Sequence, residues 1–243
     1  MQTYIHAIVL RSVKHSDSNN VITVFSRENG RFSFLSPAGT TREAIRRRAL
    51  LMPFCAIEGI ADFHLAKDLA KMKEIVRGNG FVPASNPIKG IISIFLAEIL
   101  DACLREQQPD HILYDYILHA SRLLNDENNA TAIANFHIVF LLRLLSLLGV
   151  APDYSTYKPG SIFDINDGVW RQTKPINHHS LSPDDSLTAA NLFRHLTFRT
   201  SRLFRFSRDQ RNQITDALIQ YLSLHVANLS AIKSLDVVRN IFS

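Results

Sequence analysis

The first fifty residues narrow the fold more than any other stretch of the chain. Three short segments in which apolar residues alternate with polar ones, 4–13, 21–25 and 31–35, are separated by the polar cluster Lys14 to Asn20 and by Arg27-Glu28-Asn29-Gly30. Alternation puts every second side chain on one face of a strand. Ser, Asn and Asp supply turn chemistry, and Asn29-Gly30 permits the positive φ of a tight hairpin. The stretch therefore reads as a three-stranded meander. Pro37 and Gly39 end it, because proline lacks the ladder donor and glycine weakens a strand interior.

A basic run follows, Thr41-Arg42-Glu43-Ala44-Ile45-Arg46-Arg47-Arg48, expected as a cationic loop. Residues 50–60 and 69–77 then read as a fourth and a weaker fifth strand, the latter carrying Lys71 and Lys73. Five short strands in about 80 residues suggest a small Greek-key barrel of the oligonucleotide-binding kind, whose curved face and flanking loops hold nucleic acid. Phe32, Phe34, Phe54 and Phe63 are expected inside it, since so small a barrel needs large interior side chains. Charge supports the same module: residues 1–80 carry 12 Lys and Arg against 7 Asp and Glu, whereas residues 81–243 carry 15 of each. The whole surplus of +5 thus lies in the first third. Four guanidiniums within seven positions repel one another unless an anion neutralises them, and arginine binds phosphate bidentately without regard to sequence. The competing reading is a solvated loop with arginine stems lying over apolar surface.

Beyond residue 80 the apolar period changes. Ser85-Asn86-Pro87 offers a capping side chain and a proline at the first helical position. Helices are expected over 87–106, 110–124 and 131–148, the last apolar on nearly all sides and stopped by Gly149. Such a helix belongs at the centre of a bundle. Residues 150–185 contain Pro152, Pro159, Gly160, Gly168, Pro175 and Pro183, an irregular lobe with a short hairpin around Asn166-Asp167-Gly168. His178 and His179 are adjacent and diverge, with no cysteine or third histidine at ligand spacing, so no metal site is expected. Residues 186–243 return to helix. There Arg199, Arg202, Arg205, Arg208 and Arg211 recur every third residue among Phe198, Phe204 and Phe206. On an α-helix that repeat drifts about 60° backwards per step, so part of the stretch is expected as loop. Arg199, Arg202, Arg205 and Arg208 are candidates for a second nucleic-acid or acidic-peptide contact, against a role in capping helices and pairing with nearby aspartates.

Other classes fit less well. No apolar run approaches the roughly 20 residues of a membrane span, and the N-terminus lacks a basic region followed by an apolar core, so a cytoplasmic protein is expected. Cys55 and Cys103 are far apart and expected as reduced, buried thiols. A nuclease would need clustered carboxylates for metal, and Asp164 and Asp167 flank a turn without obvious partners. A module binding RNA or a ribosomal surface remains open.

The chain resembles the RecO family of bacterial recombination mediators. The resemblance rests on Ala7-Ile8-Val9-Leu10-Arg11, on Val21 to Arg31, on Leu51-Met52-Pro53-Phe54, on Arg143-Leu144-Leu145 to Gly149 with Ala151-Pro152-Asp153, and on Tyr221-Leu222, His225 and Lys233-Ser234-Leu235. It implies an α+β architecture: an N-terminal five-stranded barrel over 1–80 and a helical domain over 81–243. It also implies a non-enzymatic protein, located at the nucleoid, that binds single- and double-stranded DNA and anneals complementary strands. The implied partners are RecR, the acidic C-terminal tail of single-stranded-DNA-binding protein and, indirectly, RecA. The DNA-binding candidates are then Arg11, Lys14, Arg27, Arg31, Arg42, Arg46, Arg47 and Arg48, and Arg122 or Arg143 is the candidate cation for the acidic tail. Many members of the family carry a four-cysteine zinc module after the central helix. Residues 150–185 contain no cysteine, so the lobe is expected without metal, and no cofactor is implied.

Overall fold

The computed structural model describes residues 2–63, 69–83, 86–105 and 108–241. In chain order the elements are β1 (Gln2–Lys14), β2 (Asn19–Ser26), β3 (Gly30–Pro37), α1 (Arg42–Leu50), β4 (Ala56–Asp62), β5 (Leu69–Arg77), α2 (Pro87–Cys103), α3 (His111–Asp126), α4 (Ala130–Leu147), β6 (Ile162–Asp164), β7 (Val169–Arg171), α5 (Pro183–His195), α6 (Arg208–His225) and α7 (Leu235–Asn240), with 3₁₀ turns at Tyr154–Thr156 and Ser201–Leu203. They form two compact units, one of residues 1–127 with 232–241 and one of residues 128–231.

In the first unit the five strands close into a barrel in the order β1-β2-β3-β5-β4, with β3 and β5 the parallel neighbours. The first half of β1 pairs with β4 and the second half with β2, and a register shift between Val9 and Arg11 lets the strand curl from one partner to the other. Ile5, Ala7, Val9, Ile22, Val24, Phe32, Phe34, Ile57 and Ala61 fill the interior, with Phe63 packed against them. Ile8 and Leu10 point the other way and are buried as well, because α2 and α3 lie along β1. A strand covered on both faces reads as continuous apolar sequence. The β2–β3 hairpin turns through Arg27-Glu28-Asn29, and Gly30 alone takes positive φ (65°), a three-residue loop closed by a left-handed glycine rather than a two-residue Asn-Gly turn.

Further expectations for this unit are corrected. The basic run is a helix, α1, because Thr41 caps it by accepting from the amide of Ala44 and Arg42 to Leu50 contain no breaker. The fourth strand starts at Ala56 rather than Leu50, because Phe54 (φ 69°) turns the chain to place its buried ring while its amide donates to Val9 O at 2.7 Å. Helix α2 begins at the Asn86 cap and Pro87 and ends at Cys103, short of the expected Glu106; Ser85 and Glu106 lie outside the described residues. The chain's last helix returns to this unit through Glu98, whose Oε2 accepts from the amides of Lys233 and Ser234 and from Ser234 Oγ at 2.7 Å.

The second unit is built on α4, thirteen of whose residues are buried. By length and composition alone (18 residues, mean hydropathy 1.7) this helix is long and apolar enough for a membrane span, but 72% of that window is buried inside the protein, as in the bundle-centre helix expected from the sequence. The irregular lobe packs Trp170 against Phe163, Tyr154, Tyr157 and Phe193, with its indole N–H on Ser186 O. Gly168, at φ +68°, is required there: a Cβ would lie 2.3 Å from the hydroxyl of Tyr221.

Candidate nucleic-acid interface

Helix α1 is the most exposed element of the barrel and has no buried residue. Nine residues of isolated helix are marginal in water, so its ends must hold it. Thr41 caps the start, Leu51 is buried immediately beyond the last turn, and Arg48 Nη2 donates to Gly39 O at 2.8 Å across the base. Arg42 and Arg46 are one turn apart and both exposed, a like-charge pair that costs a few tenths of a kcal/mol. Arg47 and Arg48 sit in the last turn, where the helix dipole favours cations, whereas Arg42 stands at the end where it opposes them. Glu43 is the one carboxylate on the helix. Helix α1 packs beside β5, whose Lys71 and Lys73 are both exposed and share one strand face. These two lysines were not among the sequence candidates, although their spacing on a strand carried the signal.

The remaining barrel candidates are differently engaged. Arg31 donates to Asp101 Oδ1 at 2.6 Å and to the carbonyls of Asp101 and Leu104 at 3.0 Å, which caps the end of α2. Arg27 holds both carboxylate oxygens of Asp115 on α3, at 3.0 and 3.4 Å. Arg11 lies 3.6 Å from Asp101 with most of its side chain in solvent, and Lys14 pairs with the exposed Asp17 beside the β1–β2 turn. Ala38 donates to Ser18 O at 2.7 Å, so that turn and the approach to α1 are joined at one end of the barrel. Arg122 is exposed on α3 with its Nε on Asn79 O at 2.8 Å.

In the second unit, Arg143 is exposed on the otherwise buried α4. The arginine repeat falls where loop was expected: α5 ends at His195, a 3₁₀ turn covers Ser201–Leu203, and α6 starts at Arg208 behind a Ser207/Gln210 capping box. Arg199, Arg202, Arg205 and Arg208 are exposed, but Arg211 is only 8% exposed. Its Nη2 donates to Phe206 O at 3.1 Å and its Nε to Asn135 Oδ1 at 3.4 Å, and burial lowers its pKa. Fully buried Asn135 on α4 donates in turn to Ser201 O and Phe204 O, at 3.0 and 2.8 Å. Sequence gave no sign of Asn135, a polar residue in an apolar run. Beside it Thr215 donates to Arg211 O, so His137 Nε2, 2.9 Å from the Thr215 hydroxyl, is the donor of that pair. Burial, aided by nearby Arg211, lowers the His137 pKa to about 3.

The lobe contains a charged cluster that the sequence reading left without partners. Asp164, fully buried, accepts from Arg171 Nε at 2.8 Å, lies 3.0 Å from His178 Nδ1, and receives the amides of Asn166 and Asp167. Burial raises its pKa, but hydrogen bonds from His178, Arg171 and the two amides outweigh that and hold it below the ordinary value. Ligand atoms of Asp164, Asp167 and His178 lie within 4.8 Å of one another. They do not fit the four-thiolate zinc of the resembling family, since the lobe contains no cysteine and Arg171 already bridges both carboxylates. Burial pushes the thiols of Cys55 and Cys103 up to about 12, which leaves them unreactive.

Residues 1–79 match the family described as Recombination protein O N terminal, and residues 85–236 match Recombination protein O C terminal. The DNA repair protein RecO of Phocaeicola vulgatus is 32% identical over 237 residues, and that of Porphyromonas gingivalis (strain ATCC 33277) is 34% identical over 244, each alignment covering 97% of both chains. The RecO of Bacteroides fragilis is 31% identical with the same coverage. A closed five-stranded barrel followed by helices, matched over residues 1–79 and 85–236 by the two family domains, places this chain in the recombination protein O family of DNA repair proteins.

Proposed function

We propose that the protein is a recombination mediator with no catalytic step of its own. It holds single- and double-stranded DNA by the phosphates and leaves the bases free to pair, so that screening the repulsion between strands lowers the barrier to annealing. Working at the nucleoid with RecR, and reaching coated strands through the acidic tail of single-stranded-DNA-binding protein, it assists the loading of RecA. The observation that carries this reading is α1, a helix that exposes Arg42, Arg46 and Arg48 on the barrel with a single carboxylate among them. Lys71 and Lys73 extend the same grip along β5, and Arg11 and Lys14 supply its far edge. Arg27 and Arg31 serve instead to join the barrel to α3 and α2. Arg122 on α3 or Arg143 on α4 meets the acidic tail, since such a peptide needs one cation at the rim of apolar surface.

Titrating a labelled single strand and a labelled tail peptide, separately and together, tests both grips. Each is expected to bind, without displacing the other, and to persist in magnesium with no loss of labelled DNA. Absence of DNA binding, a tenfold preference for RNA, or cleavage would each end this reading.

A further inference from the structure

The segment 196–207 is largely exposed, irregular and cationic, yet the carbonyls of Ser201, Phe204 and Phe206 are held from beneath by buried Asn135 and Arg211. No carboxylate occurs between Asp185 and Asp209, while Arg194, Arg199, Arg202, Arg205 and Arg208 fall in that interval. Among the described residues, Arg194, Arg199, Arg202 and Arg205 form no ion pair, and all four are exposed. Leu203, between two of these arginines, is 72% exposed, and Phe198, Phe204 and Phe206 are half-buried, the last two with centroids 5.9 Å apart.

Thr197 O accepts from both Thr200 N at 3.2 Å and Ser201 N at 2.9 Å, and the 3₁₀ turn Ser201–Leu203 is closed by i→i+3 bonds from Leu203 N to Thr200 O and from Phe204 N to Ser201 O. In that geometry three residues complete a turn, side chains at i and i+3 eclipse, and each turn advances about 6 Å. Arg202 stands in this turn and Arg199 three residues before it, so the spacing that scatters arginines around an α-helix keeps these two on one side with an advance of about 6 Å, near the separation of successive phosphates, while Arg205 lies beyond Phe204, whose extended backbone (φ −92°, ψ 104°) ends the turn. Burying Asn135 and Arg211 to hold the carbonyls of Ser201, Phe204 and Phe206 is costly for the unit. It gives the arginine row a fixed backbone.

We infer that this elbow is a second phosphodiester-binding site, in which Arg199, Arg202 and Arg205 track one single strand while Leu203 and the half-buried phenylalanine rings meet its bases. The inference rests on the reading of the barrel as the first DNA grip and gives the protein a separate seat for a second strand. Aromatic and apolar groups beside a cationic track suit unpaired bases rather than a duplex.

The test compares Arg199→Ala/Arg202→Ala/Arg205→Ala with Arg46→Ala/Arg47→Ala/Arg48→Ala, both in the full chain with melting curves checked. The probes are oligothymidine and polyglutamate, and ultraviolet crosslinking to oligothymidine is read by mass spectrometry. The elbow variant is expected to lower the log–log salt slope for oligothymidine by about 2, at roughly 0.7 per phosphate contact, to lose crosslinks in the peptide spanning 203–206, and to slow annealing at least tenfold. An unchanged slope and annealing rate in the elbow variant, with a reduced slope in the barrel variant, overturns the second site and leaves the barrel reading intact. No change in either variant overturns both. Loss of polyglutamate binding with oligothymidine binding unchanged overturns the inference in favour of an acidic-peptide surface.

Discussion

The two arginine-rich segments are secured in opposite ways. Helix α1 has no buried residue and is held by its cap and its ends, whereas the elbow has no regular helix but is bolted through three carbonyls to Asn135 and Arg211. In the first, the cations repel along a short helix that an anion would steady. In the second, the backbone is already fixed and the cations are arranged by it. Exposed positive charge can thus be presented by a loosely held helix or by a rigid irregular turn, and the difference lies in what is buried underneath. The third use of arginine in this chain, at Arg27 and Arg31, is neither: those side chains are spent on carboxylates and carbonyls of α2 and α3.

The largest break in this comparison comes from Asn135→Leu. It leaves the carbonyls of Ser201 and Phe204 and the guanidinium of Arg211 short of a partner, at about 1–3 kcal/mol for each buried group. We expect a loss of about 3 kcal/mol or more in a urea titration, with the α1 grip retained in DNA binding; a loss below about 1 kcal/mol would show the elbow to be held otherwise. Acid separates the two segments next. His137 is kept neutral by burial, with a folded pKa of about 3 against the usual 6.5. Below pH 6.5 the unfolded chain takes up a proton that the folded protein refuses, so this stability is complete above about 6.5 and falls as pH drops toward 3. The slope approaches about 1.36 kcal/mol per pH unit, and His137→Gln should flatten it in urea titrations at pH 7 and pH 5. The smallest effect is on α1 itself: Arg46→Glu turns a like-charge pair with Arg42 into an attractive one, worth a few tenths of a kcal/mol. The variant should melt no lower than the parent and yet bind DNA more weakly.

Much of the barrel could be read in the residues, because alternation, a glycine at position 30 and Pro37 act locally, although the turn before Gly30 is a three-residue loop and not an Asn-Gly pair. The strands at 69–77 and the hairpin around Gly168 followed from the same signals. What local signals missed was decided by neighbours distant in sequence. The run 42–48 looked like a loop for its charge, but charge does not prevent helix where Thr41 can cap. Arg31 and Arg46 are indistinguishable as letters; only the end of α2 at Asp101 and Leu104 separates a structural arginine from a free one. Asp164 looked partnerless because Arg171 and His178 reach it through a fold the turn alone does not specify. The three-residue arginine spacing was legible, but the elbow it falls on, with carbonyls held by the buried Asn135, was not.

The central claim is that the arginines of α1 meet phosphates. The direct measurement is the salt dependence of single-strand affinity for the full chain and for Arg46→Ala/Arg47→Ala/Arg48→Ala. Loss of three contacts predicts a log–log slope shallower by about 2 and weaker binding at low salt, with the melting temperature lowered by no more than the exposed Arg48–Gly39 hydrogen bond contributes, about 1 kcal/mol. Superimposable salt series for the two proteins, with both folded, would contradict the account.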